Sequence, residues 1–434
     1  KYLDNIKNGA FSSIYLQVTG TPQAILLQTQ VSGWHPYFTY YFAPGSGYLG
    51  GDFFFPKEKP DCITFIENLK TPAHDVVLRH LAVSALVELG GGKVSNCLVH
   101  PSVRQASHDI FARDISKELQ WCKEHIDDEF KAEFTPVYDG LAPVKYSKAS
   151  VSDAFGKVKI LIMNGKNAIS SDQYSTGANI VIGGNTLGRG VTFPSLHTIY
   201  YTRTAKKPQA DTMWQHSRMF GYDRDPGLMM VYIDEPLYKL FSDINATNNS
   251  LIAQVESGTD HIKVYYPNGL KPTRSNVLDE RHVATISGGT NYYPFYPGNN
   301  TIAQLDAILA PFAEDEPVYQ VSLRLMKEIL LHITSEDDFR VASFISIIEM
   351  MLSEKPNAQG ILIVRRNRDV AQGTGALLSP NDWALGGQYT ASAVLTMYKV
   401  TGRKGWGGQE LWVPNIKLPS DLIYYDVQED ESST

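Results

Sequence analysis

The chain has 434 residues, 43% hydrophobic and 20% charged, enough for two or three domains with cores of their own. A net charge of -7 excludes a surface built mainly to coat nucleic acid and leaves room only for a local contact patch. Three scattered cysteines (Cys62, Cys97, Cys122) exclude a disulfide framework and a cysteine zinc site, and no apolar run approaches the ~20 residues that span a bilayer, so a cytoplasmic chain without membrane contact is expected.

The first residue, Lys1, leads straight into structured-looking sequence, which is read as the start of a piece cut from a longer parent. Ile14–Val18 reads as a buried strand that ends in a turn at Gly20 and Pro22, with Gln23–Gln28 as a short helix after it. Residues 35–61 form an ordered loop rich in Gly, Pro and aromatics. The aromatics from Trp34 to Phe55 are expected to pack on the neighbouring lobe, with base stacking as the alternative. A helix from Asp75 to Gly90 stops on three glycines.

Strands and helices then alternate. Strands are expected at Ser95–His100, Val158–Met163, Ala178–Ile182, His197–Thr202 and Leu228–Ile233. Helices are expected at Val103–His125, Asp211–Phe220 and Glu235–Ile244. That alternation means a parallel α/β sheet with helices on both faces and ligands at the carboxyl ends of its strands. Beyond it, Gly288–Asn300 reads as a loop, and Ile302–Ala313, Tyr319–Ile333 and Asp337–Glu354 as helices. Gly360–Arg365 reads as a strand, and the rest as a turn-rich mixed α/β region with an acidic, frayed tail.

Two segments carry chemistry. In Val181–Pro194 a buried strand runs into a turn with Gly183, Gly184, Gly188, Arg189, Gly190 and Thr192. The glycines permit close backbone approach to a phosphate; taken alone they fit a plain tight strand exit better. In Asp211–Asp225, Gln215 and Arg218 fall on a helix and Arg224 in the turn after it. A planar, permanently charged guanidinium suits phosphoryl-transfer chemistry, although a lone helical arginine is usually a surface ion pair.

Together these segments resemble motifs V and VI of superfamily 2 helicases. Val18–Pro22, with Thr19, Gly20 and Thr21, resembles motif III, which couples nucleotide state to the nucleic-acid track, and Cys97–Ser102 resembles motif IV. More narrowly, the chain resembles the Z-one domain family of endonuclease-labelled proteins joined to helicase modules in bacterial restriction and phage-defence loci. The resemblance rests on Tyr48–Phe55, Gly183–Arg203, the Asp211–Tyr222 segment and Lys271–Asp279, within roughly residues 10–290.

The resemblance implies the end of a first RecA-like lobe at 1–71, a second RecA-like lobe at 72–260 and a C-terminal accessory region at 261–434. It implies an inter-lobe site for ATP and Mg²⁺ in the intact parent, with Gly183–Thr192 near nucleotide and Arg218 or Arg224 as the arginine finger. DNA, an upstream first lobe and other defence-system subunits are the implied partners.

Three departures stand out. Thr192 replaces the usual aspartate after the motif V Arg-Gly pair, and Asp223 is an extra residue ahead of Arg224. The chain has no GxxxxGK[ST] and no DExx box, so this piece alone is expected to bind no cofactor and to lack ATPase activity.

A nuclease core would need Pro60-Asp61 to meet Glu129-Phe130-Lys131, letters that instead suit a loop and a solvent-facing helix. His100, His108 and His216 suit core or capping roles, no metal site is expected, and Lys206 and Lys207 suit a solvated turn. The other readings left open are a DNA-binding or scaffold module of helicase ancestry without catalysis, and the endonuclease that the family label suggests.

Overall fold

Strands that are unbroken apolar runs need cover on both faces. The structure, a computed structural model, describes residues 5, 9, 14–22, 26, 36–102, 104–126, 129–141, 158–164, 169–188, 190–203, 208–216, 218–258, 264–267, 270–271, 283–294, 297, 301–313, 317–335, 339–369, 379–403, 408–420 and 422–427. Within them Ile63–Phe65 (β1), Val94–His100 (β2), Val158–Met163 (β3), Gly177–Gly183 (β4), Leu196–Tyr201 (β5) and Met230–Ile233 (β6) form one parallel sheet in the order β1-β6-β5-β2-β4-β3. β1 already lies ahead of residue 72.

Successive side chains of a strand point to opposite faces, and the two cores divide accordingly. Cys97, Val99, Ile180, Ile182, Tyr200 and Tyr232 meet a layer of three helices: Pro72–Leu89 (α2), Gln105–Glu124 (α3) and Glu129–Asp139 (α4). Leu98, Val181, Ile199, Tyr201, Val231 and Ile233 face Gly51–Phe54 (α1), Ala210–Gln215 (α5) and Glu235–Glu256 (α6). α2 starts at Thr71, whose hydroxyl accepts from the His74 backbone N–H, with Pro72 in the first turn where its missing N–H costs nothing.

The region after α6 holds two further sheets. Val264–Pro267 (β7), Val283–Ser287 (β8) and Leu422–Val427 (β14) are antiparallel in the order β7-β14-β8. A mixed five-stranded sheet, β10-β11-β12-β13-β9, is built from Asn291–Tyr292 (β9), Tyr319–Ser322 (β10), Gln359–Arg368 (β11), Val394–Val400 (β12) and Leu411–Lys417 (β13). Ile302–Leu309 (α7), Leu323–Leu331 (α8) and Val341–Glu354 (α9) pack on one face of it, and Leu385 of Pro380–Gly387 (α10) packs on the other. β14 ties the halves together, because Tyr425 enters the core of the parallel sheet and Tyr424 the core of the mixed one.

Four expectations change. Ile14–Val18 is irregular and exposed, because an apolar run becomes a buried strand only against a sheet edge and no strand among the described residues pairs with it. The helix expected at Asp211–Phe220 stops at Gln215; an antiparallel bridge between Gly221 and Leu49 draws the following residues away. Tyr319–Ile333 is a strand and then a helix, since the Ser322 hydroxyl accepts from the Leu325 N–H and caps α8, leaving Tyr319–Ser322 to pair with β11.

The aromatics of 34–55 divide. Phe54 and Phe55 are fully buried against Phe220, Tyr238 and Phe241, whereas Tyr37, Phe38, Tyr40 and Phe42 are exposed. Of Gln23–Gln28 only Leu26 lies within the described residues, where it is helical.

Candidate functional site

The turn after β4 is built on a close approach. Gly183 pairs with Met163 of β3, and a Cβ on it would sit 2.5 Å from the Met163 carbonyl and 2.8 Å from Leu187. Gly183→Ala is therefore expected to destabilise the fold by about 1–3 kcal/mol in a denaturant titration. An unchanged midpoint would show that the turn has room. The Thr186 hydroxyl also donates to the Met163 carbonyl, at 2.9 Å. Gly184 presses on the β2–α3 connection, 3.0 Å from the Ser102 carbonyl by the same construction, and Gly190 takes a left-handed φ of 68°. Gly188 ends the short turn from Asn185, and Thr192 is exposed. Arg189 lies outside the described residues, as do Lys206 and Lys207.

Arg218 closes onto this turn. Its Nε donates to the Leu187 carbonyl at 2.8 Å and its Nη1 to the Val191 carbonyl at 3.4 Å, so the guanidinium brackets the stretch that holds Gly188 and Gly190. It does so from a turn beyond α5 and not from a helix face. Gln215, the last residue of α5, donates from Nε2 to the Thr21 hydroxyl at 3.4 Å. Thr21 in turn donates its backbone N–H to the Thr19 hydroxyl at 2.9 Å, around the bend at Gly20. Three segments far apart in the chain thus converge on one side of the sheet.

Arg224 goes elsewhere. It is 7% exposed, its Nε donates to the Met219 carbonyl at 3.2 Å, its Nη2 to the Arg218 carbonyl at 3.3 Å, and its Nη1 pairs with Asp223. The other Asp223 carboxylate oxygen accepts from the Ser195 N–H at 2.8 Å, just ahead of β5, so this pair pins the Tyr222–Arg224 turn to the amino end of that strand. Arg224→Gln removes those donors from buried acceptors and is expected to cost about 2–4 kcal/mol in thermal or denaturant unfolding. Wild-type stability in that variant would free Arg224 for another role.

The histidines separate by role. His108 caps the α3 entry, its Nε2 2.7 Å from the Ser102 carbonyl. His100 ends β2 and stacks on His216, the ring centroids 5.6 Å apart, and Arg203, just past β5, contacts both ring nitrogens of His216. Arg203 was missed by sequence reasoning, because a cation at a strand end carries no signal until its neighbour is known. Burial lowers the pKa of Arg203 and of Arg218, so each holds its charge at a desolvation cost that a nearby anion would relieve.

Among the described residues no group of three or more His, Cys, Asp or Glu side chains could hold a metal ion. Asp61 sits in the turn before β1, and Glu129 and Lys131 are exposed on the first turn of α4, whose Phe130, Phe134 and Tyr138 are buried. No helix among the described residues is long and apolar enough to cross a membrane.

Two family models match the chain: the Z1 domain over residues 75–264, and the C-terminal domain of the restriction endonuclease CglI H-subunit over residues 286–420. No curated protein matches it. A solved structure, the C-terminal domain of CglI restriction endonuclease H subunit, is 32% identical, with 31% of this chain and 99% of that one covered and a TM-score of 0.28. The Z1 match encloses β2–β6 together with Gly183–Thr192, Arg203, Gln215, Arg218 and Arg224.

Proposed function

Because the chain belongs to the Z1 domain family and also matches the C-terminal domain of a restriction endonuclease H-subunit, we propose that it is the motor-lobe part of a DNA-dependent ATPase in a restriction system. The observation that carries this reading is the convergence of Arg218, the Gly183–Val191 turn and the Gln215–Thr21 contact on one side of a parallel sheet. A RecA-like lobe of a superfamily 2 helicase uses that side to face a nucleotide held by a P-loop lobe. Here Arg218 stabilises charge on the transferring phosphoryl group, and Thr19–Thr21 relays nucleotide state to DNA. DNA and further subunits of the restriction system are the proposed partners, in the cytoplasm.

The residues present fit only half of such a site. The chain offers a guanidinium and a glycine turn for phosphate but no GxxxxGK[ST] sequence, and no acidic cluster for Mg²⁺ among the described residues, so both would be bound through a separate P-loop lobe. The test is ATP turnover by the full-length protein with and without duplex DNA, beside the isolated 434-residue chain. DNA-stimulated turnover is expected only from the former. Turnover by the isolated chain, or none by the full-length protein, would leave a DNA-binding or scaffold module as the better reading.

A further inference from the structure

A segment from far upstream lies across the turn that carries Arg218. The Leu49 N–H donates to the Gly221 carbonyl at 2.9 Å, and the Gly221 N–H donates to the Leu49 carbonyl at 3.2 Å. The Tyr222 hydroxyl accepts from the Gly45 N–H at 2.9 Å, and the Tyr48 and Tyr222 rings lie 5.0 Å apart. The same segment is fixed at its other end on α6. There the Asp52 carboxylate accepts from Asn245 at 2.8 Å and from Asn249 at 2.6 Å. The Pro56 carbonyl accepts from the Tyr238 hydroxyl at 2.8 Å. Between the two ends, Gly51 passes so close that an added Cβ would stand 2.7 Å from the Trp214 ring. Residues 45–56 are therefore a strap, seated on one helix and clasped over the Arg218 turn.

The clasped turn is braced from within. Arg224 holds the carbonyls of Arg218 and Met219, and the bridge to Leu49 holds Gly221. A shift at Tyr222 is therefore carried back along the hydrogen-bonded turn to Arg218. The rings of Tyr48 and Tyr222 are 37% and 60% exposed, so their contact sets where the turn lies and adds little to the core. We propose that Tyr222 is a positioning residue for Arg218. Through Tyr48 and Tyr222 the strap presses the Arg218 turn against the glycine turn, and opening the clasp lets the guanidinium leave the Leu187 and Val191 carbonyls. The consequence for turnover rests on the motor reading of Arg218; the coupling from strap to glycine turn does not require hydrolysis.

The experiment is hydrogen exchange of the full-length protein, read by mass spectrometry, beside ATP turnover with duplex DNA. Tyr222→Ala and Tyr48→Ala are each expected to speed exchange about tenfold in the peptide spanning Gly183–Val191, on the far side of Arg218. Each should also lower kcat about tenfold while ATP affinity stays within a few-fold of wild type. Tyr48→Phe, which keeps the stacked ring, should restore both. In an Arg218→Ala background, where no guanidinium holds the glycine turn, Tyr222→Ala should add nothing to exchange at Gly183–Val191. Wild-type exchange there in a folded Tyr222→Ala, or a further increase in the Arg218→Ala background, would each overturn the clasp. If Tyr222→Ala does not fold, Tyr48→Ala decides. The outcomes stay distinct: faster exchange in a full-length protein that does not hydrolyse ATP keeps the clasp and refutes the motor reading. Tyrosine variants with unchanged exchange and turnover, beside an inactive Arg218→Gln, do the reverse.

Discussion

On the proposed function, Arg218→Gln in the full-length protein is expected to lower kcat for ATP by about 10³- to 10⁵-fold, the range lost when an arginine finger is removed elsewhere, while ATP affinity should stay within a few-fold of wild type. The guanidinium hangs on the glycine turn by two carbonyls, Leu187 and Val191, which fix its plane while leaving it half-exposed. A group held in that way is positioned before the reaction, so its stabilisation of developing charge requires no reorganisation. Glutamine keeps a donor for Leu187 but loses the charge. Arg218→Lys keeps the charge but cannot reach two carbonyls and an oxyanion with one planar fork, and it should recover only part of the rate. Arg224→Gln is expected to lose stability and leave turnover per folded molecule near wild type, because that guanidinium is held by Met219, Arg218 and Asp223. The measurement is steady-state turnover and equilibrium ATP binding for the three variants, with unfolding curves beside them. A near-normal kcat in Arg218→Gln would remove the catalytic role and leave Arg218 as a brace for the turn.

The second large effect is acid lability without acid catalysis. Three histidines are buried neutral in or beside the parallel sheet. Desolvation holds His80 down to about 3, with His197 adding to it; His197 is lowered to about 4, chiefly by burial and then by Arg224; burial also holds His100 well below the ordinary range, with Arg203 next. In the unfolded chain all three titrate near 6.5, so below that pH the unfolded state binds the protons that the folded state refuses. Their contribution to stability is complete above about pH 6.5 and falls away as the pH drops toward the folded values. His80 and His197 each contribute up to about 1.4 kcal/mol of loss per pH unit over that window, and His100 adds loss in the same direction. Denaturant midpoints are expected to be level from pH 7 to 8 and to fall steeply below 6. His80→Leu, which fills a similar volume without a proton site, should flatten part of that slope. A midpoint independent of pH between 7 and 4.5 would mean that these rings are hydrated or paired in solution.

The parallel sheet was legible because its strands are long apolar runs that need cover on both sides, and periodicity together with chain alternation suffices to recognise that. The glycine turn after β4 and the Gln215–Arg224 segment were legible as letters, since glycine and arginine are singled out by what other side chains cannot do. The helix start at Ser322 was also written in the chain, as a capping serine, but the apolar period that runs through α8 hid it by extending back over Tyr319–Ser322.

Other features depend on neighbours that the chain does not order. Which groups Arg218 and Arg224 would hold was undecidable along the sequence, because both are arginines in one short segment. Their difference comes from Leu187 and Val191 on one side and Asp223 with the start of β5 on the other. The stacking of His100 on His216 and the approach of Arg203 join positions from 100 to 216, and no local rule foretells a contact between side chains that distant. Ile14–Val18 shows the same limit from the other direction: the run has the composition of a strand, but backbone pairing belongs to two segments at once. By itself, then, the sequence determined which segments could be buried and which residues had the chemistry for phosphate. The tertiary structure decided which of those residues meet, because burial is read one residue at a time and a site is a relation among several.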